Sequence, residues 1–269
     1  MSITQNHPMN TTPHIHAMIV AAGRGSRFGA TVAKQYTLLQ WQTLLQRSVA
    51  RLASSAYIDK CLLVVAEDDN TAQALDFALP IQYTSGGAER WQSVQAGVEA
   101  IVKLGAQASD LVLIHDAARP AVPSQDINQV IEAAMHEPYG AILAAPVADT
   151  LKQSYTASYK HASAVSEHSN ACKDNNEAYS YIKQTLERSN VWQAQTPQVF
   201  RLGQLREVLA YVDKHKLTIT DEASAFEYLK LPIRLITGSR QNIKLTYPDD
   251  AILLSAILTA QSWHFSSAF

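Results

Sequence analysis

Cysteine is scarce in this chain of 269 residues: Cys61 and Cys172 are the only two, and no CxxC pair occurs. This scarcity argues against a zinc site and against a fold held by disulfide bonds. Long apolar runs are also missing, since no stretch approaches the roughly 20 residues that a transmembrane helix needs. Residues 1–12 are polar and lack the apolar centre of a secretory signal. We therefore expect a cytoplasmic protein.

An excess of charge of one sign is absent as well. The chain has 22 Lys and Arg against 24 Asp and Glu, a formal net charge of −2. Such a balance produces no overall field that would attract nucleic acid or an anionic membrane. Any positive charge that matters for function must therefore be local.

Short apolar stretches alternate with amphipathic segments along most of the chain. The pattern predicts strands at 17–20, 61–66, 81–84, 111–114, 141–145 and 233–236, and helices at 44–52, 89–104, 124–135, 201–212 and 248–258. Lys244 lies in a further segment, 241–246, whose alternation resembles a strand. This order predicts an α/β protein with a mostly parallel central sheet and helices on both faces. Ligands of such sheets bind beyond the carboxyl ends of the strands.

Residues 152–182 interrupt this pattern, because they are polar and rich in Ser, Tyr, Asn and His. A segment with so few large aliphatic residues cannot form a core of its own. We therefore predict a single domain over 16–269, preceded by a flexible tail at 1–15, with an enlarged insertion at 150–190 that projects as an arm.

The first predicted strand leads into a loop, Ala21-Ala22-Gly23-Arg24-Gly25-Ser26-Arg27-Phe28-Gly29, and Lys34 follows. Glycine lets backbone N–H groups approach a ligand, and the cations add charge, so a polyphosphate is the natural ligand. The spacing fits neither G-x-G-x-x-G nor the P-loop, which disfavours a Rossmann dehydrogenase. A strand-to-helix turn with incidental charges stays open as the alternative.

Other polar positions are ambiguous when taken singly. Asp116 ends an apolar strand and is either a turn residue or a ligand of Mg²⁺. Gly86-Gly87, with Ser93 beyond it, is a simple turn or a helix entry that binds a base or a phosphate. Taken alone, Arg119, Arg188, Thr196 and Lys244 have the pattern of solvated or ion-paired side chains.

In chain order, however, these motifs resemble those of the 2-C-methyl-D-erythritol 4-phosphate cytidylyltransferase family. The resemblance extends from Ala17 to Leu258. It rests on Ala21-Ala22-Gly23, Lys34-Gln35-Tyr36, Gly86-Gly87, His115-Asp116-Ala117-Ala118-Arg119-Pro120, Gln195-Thr196-Pro197-Gln198, Thr220-Asp221-Glu222-Ala223-Ser224 and Asn242-Ile243-Lys244-Leu245-Thr246. Each motif is weak alone, but the ordered set is specific.

The resemblance implies a Rossmann-like nucleotidyltransferase fold and the transfer of CMP from CTP to 2-C-methyl-D-erythritol 4-phosphate, with release of pyrophosphate, in the non-mevalonate isoprenoid precursor pathway. It implies that the catalytic residues are Arg27, Lys34, Arg188 and Lys244. It implies that CTP is bound by Ala21, Ala22, Gly23, Gly86, Gly87, Ser93 and Asp116. It implies that the second substrate is bound by Asp116, Arg119, Thr196, Thr220, Arg188 and Lys244.

The resemblance further implies that Asp116 is a ligand of Mg²⁺ and that the arm forms a homodimer in which Arg188 completes the partner's site. Two alternatives remain at this stage. A ribitol 5-phosphate cytidylyltransferase shares the CTP motifs but tends to differ around Thr220-Asp221. A non-catalytic nucleotide-binding module would not need Arg27, Lys34 and Lys244 together.

Overall fold

A computed structural model describes residues 12–23, 33–158 and 178–266 of the chain. Arg27 and Cys172 lie outside the described residues. The chain divides into two compact units: the first comprises the residues up to Ala145 and from Ala194 onward, and the second comprises Pro146–Gln193.

The first unit contains most of the regular structure. In chain order the strands within the described residues are β1 (Ile15–Val20), β2 (Leu38–Leu39), β3 (Gln42–Thr43), β4 (Cys61–Val65), β5 (Ile81–Ser85), β6 (Leu111–Asp116), β7 (Gly140–Pro146), β8 (Lys152–Ser158), β9 (Ala178–Thr185), β10 (Trp192–Arg201) and β11 (Arg234–Thr237). The α-helices are α1 (Leu44–Leu52), α2 (Arg90–Lys103), α3 (Ser124–Met135), α4 (Leu202–His215), α5 (Glu222–Tyr228) and α6 (Asp250–Ser266). None of these helices, among the described residues, has both the length and the apolar character that crossing a bilayer requires.

Seven strands form the central sheet in the order β11-β7-β10-β6-β1-β4-β5. Strand β1 runs parallel to β4 and β6, β5 runs parallel to β4, and β11 runs parallel to β7. Strand β10 is antiparallel to β6. The predicted mostly parallel sheet is therefore confirmed. The prediction of a strand-like segment at 241–246 is wrong: that segment is irregular, and its Lys244 contacts Asp116 at the end of β6.

Apolar side chains cover both faces of this sheet. Leu45 and Val49 of α1 belong to the cluster on one face, while Val94 and Val98 of α2 belong to the cluster on the other. Strands β4 and β6 are buried along their whole length. Burial on both faces explains why these strands are continuously apolar in sequence rather than alternating. The predicted layers of helices on each face are thus confirmed.

The register of the sheet positions the functional edge. Val20 at the end of β1 lies opposite Asp116 at the end of β6. Because the two strands are parallel, Ala21–Gly23 and Asp116 emerge at the same edge, as the sequence predicts. Strand β1 already begins at Ile15, one residue before the predicted start of the domain.

The second unit is dominated by a hairpin of β8 and β9, which pair in antiparallel register with Tyr155 opposite Tyr181. The rings of these two tyrosines lie 5.8 Å apart. None of the described side chains of this unit is buried. This agrees with the inference that the segment cannot form its own core, and an isolated two-stranded hairpin is marginally stable in water.

Candidate active site

Two loops approach each other at the carboxyl edge of the sheet, and small residues allow this approach. Ala21 continues β1, and its N–H donates to the Val64 carbonyl over 2.8 Å. At Gly86, a Cβ would lie 2.6 Å from Ala22 Cβ and from Ser93 Oγ. No side chain fits into that space, so glycine is required where the loops meet.

Ser93 of α2 fixes the second of these loops. Its buried hydroxyl accepts a hydrogen bond from the Gly87 N–H over 3.1 Å and lies 3.2 Å from the Glu89 carbonyl oxygen. The hydroxyl is thus engaged with the loop backbone. Ser93 therefore acts on a bound ligand indirectly, by holding Gly87 at the pocket wall.

A pocket opens between the loops. The small residues of its wall include Ala21, Ala22, Gly23 and Gly87. Among the described residues, the charged side chains of its wall are those of Lys34, Glu89, Arg90, Asp116 and Lys244. The structure therefore brings Lys34, Asp116 and Lys244 together from three distant parts of the chain. A pocket that combines backbone-accessible glycines with convergent cations is suited to a nucleotide polyphosphate.

Asp116 is the centre of a charged cluster in this pocket. Arg90 Nη2 lies 3.2 Å from Asp116 Oδ1, and Lys244 Nζ lies 2.7 Å from Asp116 Oδ2. Arg119 Nε is further away, at 3.8 Å from Oδ2. Burial alone would raise the pKa of Asp116, but Arg90, Lys244 and Arg119 together hold that pKa well below its usual range. Asp116 is consequently ionised at neutral pH.

Behind Asp116, a chain of buried hydrogen bonds holds the end of β6. The Asp116 N–H donates to Thr196 Oγ1 over 3.0 Å, and Thr196 Oγ1 lies 3.0 Å from His115 Nδ1. His115 Nε2 lies 3.0 Å from the Arg119 carbonyl oxygen. A carbonyl oxygen only accepts, so Nε2 carries the proton and Nδ1 accepts from the Thr196 hydroxyl. The neutral imidazole satisfies every partner in this chain.

Acid should therefore destabilise the protein through His115. Burial lowers the pKa of His115 from 6.5 to about 4. Between these values the unfolded chain binds a proton that the folded chain does not, so stability falls as the pH falls from 6.5 to 4. The expected loss approaches about 3 kcal/mol. Urea unfolding of the ligand-free protein at several pH values measures it, and equal pH slopes for wild type and His115→Gln would contradict the assignment.

Lys244 reaches the pocket because its irregular segment is anchored on both sides. The Leu245 N–H donates to the Ala118 carbonyl over 2.9 Å. Arg119 Nη1 donates to the Asn242 carbonyl over 2.6 Å. Arg119 is thus bound to backbone on one side and close to Asp116 on the other, and its guanidinium supports the segment that carries Lys244.

Lys34 begins a short 3₁₀ turn, Lys34–Tyr36, that is tied to the first loop. The buried Gln35 donates through Nε2 to the Ala21 carbonyl over 2.8 Å. The Tyr36 hydroxyl donates to Asp69 Oδ2 over 2.5 Å. These bonds place Lys34 in the pocket wall by fixing the two residues that follow it.

The remaining predicted residues are placed as follows. Thr196 is buried and bonded to the Asp116 N–H and His115, as described above. Thr220 is exposed just before α5, and its N–H donates to Ser224 Oγ over 3.2 Å. Arg188 is exposed in the second unit, in the turn before β10. Arg27 lies outside the described residues, so its predicted role stays a prediction.

Three charged residues in or beside the pocket, Glu89, Arg90 and Glu222, were given no role by the sequence prediction. Arg90 follows Gly86-Gly87 and Glu222 stands in the motif at 220–224, so both belong to the motifs of the resemblance, but neither had an assigned partner. In the structure, Arg90 Nη1 contacts both carboxylate oxygens of Glu222. Their sequence separation of 132 residues explains why no local pattern could pair them.

The side chains available as ligands determine which kind of metal site the pocket can form. Among the residues that the structure describes, no group of three or more His, Cys, Asp or Glu side chains could hold a metal ion. The ionised Asp116 in the pocket wall nevertheless fits Mg²⁺, which is usually held by one or two carboxylates together with substrate phosphates. A metal at this pocket would therefore arrive with its nucleotide.

The fold and the site define an α/β nucleotidyltransferase. A model of the family described as 2-C-methyl-D-erythritol 4-phosphate cytidylyltransferase matches residues 15–167 and 156–260. A protein of that name from Psychrobacter cryohalolentis is 69% identical over 266 residues, covering 94% of this chain and 95% of the relative. The chain belongs to the 2-C-methyl-D-erythritol 4-phosphate cytidylyltransferase family.

Solved structures agree with this assignment. A 4-diphosphocytidyl-2C-methyl-D-erythritol synthase is 33% identical, with a TM-score of 0.72, and covers 92% of this chain and 100% of its own. The Francisella tularensis 2-C-methyl-D-erythritol 4-phosphate cytidylyltransferase is 28% identical with a TM-score of 0.71, covering 91% and 99%. The predicted family, fold and enzyme class are confirmed.

Proposed function

We propose that the pocket between the two loops is where this cytidylyltransferase transfers CMP from CTP to 2-C-methyl-D-erythritol 4-phosphate, giving 4-diphosphocytidyl-2-C-methyl-D-erythritol and pyrophosphate. The observation that carries the proposal is the convergence of Lys34, Asp116 and Lys244 on one pocket that also exposes the backbone of Gly23 and Gly87. A protein that only bound a nucleotide would not need this concentration of charge at the phosphates.

The chemistry requires no base from the protein. An oxygen of the substrate's phosphate monoester is already a nucleophile, and it attacks the α-phosphorus of CTP. The bond from that phosphorus to the bridging oxygen breaks, and both bonding electrons leave with pyrophosphate. The protein contributes by aligning the two anionic reactants and by stabilising the charge that develops on the phosphate oxygens.

The wall of the pocket assigns these tasks to particular residues. Ala21, Ala22 and Gly23 leave room for the nucleotide, and Ala22 and Gly23 present backbone groups to it. Lys34 and Lys244 provide positive charge, and we assign Arg27 to the same task from the resemblance. Arg119, Thr196 and Thr220 are assigned to the side of the second substrate on the same basis.

Asp116 is the residue that would hold Mg²⁺. When bound, the ion would neutralise part of the triphosphate charge and polarise the phosphate oxygens. The protein's own task is to keep Asp116 ionised and correctly directed. Before a nucleotide and its cation enter, Arg90 and Lys244 do so through the contacts at 3.2 Å and 2.7 Å.

We further propose that the protein is a cytoplasmic homodimer formed through the arm at 150–190. The exposed tyrosines and the lack of a buried residue in the described part of the second unit support this, because such a hairpin gains stability from a partner. Arg188 would then act in the site of the other subunit.

The decisive experiment measures pyrophosphate release with CTP and Mg²⁺, using methylerythritol phosphate and ribitol phosphate in parallel. We expect rapid release with the first acceptor and little with the second. Preference for ribitol phosphate would make the chain a ribitol phosphate cytidylyltransferase instead. Nucleotide binding without release for either acceptor would support the non-catalytic alternative.

A further inference from the structure

Glu222 is the most deeply buried carboxylate near the pocket, although it lies on α5 rather than in the pocket wall. Its side chain is 0% exposed. Both of its oxygens accept from Arg90 Nη1. Isolated buried carboxylates are costly, so this one requires its cation. Arg90, in turn, is bound to two carboxylates at once.

The two carboxylates do not share Arg90 equally. Glu222 engages it through both oxygens at short range, whereas Asp116 is reached by one N–H only, over 3.2 Å. Burial lowers the pKa of Arg90, but Glu222 and Asp116 together raise it well above its ordinary value. The guanidinium is therefore permanently charged, and its main partner is Glu222.

We propose that Glu222 is a positioning residue: by engaging Nη1 of Arg90 it limits the guanidinium to a single N–H contact with Asp116, and so keeps the Asp116 carboxylate exchangeable for the divalent cation of CTP. Without Glu222, Asp116 would be the remaining carboxylate partner of the Arg90 guanidinium. An arginine that binds a carboxylate with two parallel N–H bonds is a strong competitor for that carboxylate. This inference rests on the proposed role of Asp116 as a metal ligand.

Lys244, the partner of the other Asp116 oxygen, supports this proposal. Lys244 is 37% exposed on its side chain and makes a single contact of 2.7 Å with Oδ2. A solvent-accessible lysine with a flexible stem can leave when the nucleotide and its cation enter. The Arg90 side chain is 28% exposed, and its Nη1 is held by Glu222. The cation would therefore replace Lys244 on Asp116, provided that Arg90 remains bound to Glu222.

The test uses Glu222→Gln, which keeps the shape of the side chain and removes its charge. Calorimetric titrations of CTP into the protein, each at a fixed free Mg²⁺ concentration, give the Mg²⁺ concentration at which the affinity for CTP reaches half of its maximum. We expect this concentration to rise about tenfold or more, since outer partners of metal ligands commonly contribute 10- to 100-fold. A purely structural role would reduce the fraction of binding-competent protein and leave the midpoint unchanged. That result would overturn the proposal.

A second variant makes the test independent of folding. Removing the competing charge as well, in Arg90→Gln/Glu222→Gln, should return the Mg²⁺ midpoint toward the wild-type value. A midpoint that stays as high as in the single variant would contradict the competition between Arg90 and the cation. If the wild type itself bound CTP without any Mg²⁺ dependence, the metal role of Asp116 would fail first.

The chain offers a matched control. Glu99 also accepts two bonds from one arginine, Arg206, over 2.7 Å and 2.9 Å, but this pair is exposed on the surface. Glu99→Gln should leave the Mg²⁺ midpoint unchanged, because exposed ion pairs contribute little and this one does not line the pocket. A similar shift in both variants would show that the effect is not specific to the Arg90 pair.

Discussion

Replacing Lys34 with alanine is expected to lower kcat by about 100- to 1000-fold, the usual effect of removing one group that stabilises transition-state charge. The affinity for CTP should change far less. In the proposed mechanism Lys34 acts on charge that grows during transfer, while the small residues of the two loops hold the ground-state nucleotide. Single-turnover rates and equilibrium CTP binding, measured on the same preparation, separate the two effects. We expect the same division for Arg27→Ala.

The control for this prediction is Lys103→Ala, since Lys103 is an exposed lysine in the last turn of α2. It should leave both constants unchanged. If Lys34→Ala weakened CTP binding as much as it slowed transfer, Lys34 would be a ground-state binding residue.

Asp116→Asn is expected to have the second large effect, because it removes the charge at the centre of the cluster. Metal-dependent CTP binding should be lost, and turnover should fall by at least about 100-fold, given the several kcal/mol that metal-ion catalysis provides. The amide retains the size of the carboxylate but cannot balance Arg90 and Lys244. Calorimetric titration of CTP with and without Mg²⁺ measures the first effect, and pyrophosphate release measures the second.

Asp213→Asn is the matched substitution elsewhere, since Asp213 pairs with Lys216 on the exposed end of α4 at 2.9 Å. It should behave as wild type. Retention of Mg²⁺-dependent binding in Asp116→Asn would show that another group holds the cation.

Much of the fold could be predicted from the sequence. Continuous apolar stretches such as 61–65 and 111–114 indicated strands buried on both faces, and the alternation with helices indicated a parallel sheet. That reasoning also placed Gly23 and Asp116 at one edge, because parallel strands end on the same side. It erred at 241–246, where an alternating pattern suggested a strand. There the chain is instead held by contacts with Ala118 and Arg119, which local periodicity does not register.

The sequence by itself determined the family, the reaction class and many of the residues that line the pocket, because each of these depends on short motifs that can be read in order. Only the tertiary structure decided which charged side chains contact one another. The pairing of Arg90 with Glu222, the contacts of Arg90 and Lys244 with Asp116, and the contact of Thr196 with His115 all join segments far apart in the chain. An ion pair depends on distance and burial in space, and neither quantity is encoded by the spacing of residues along the sequence.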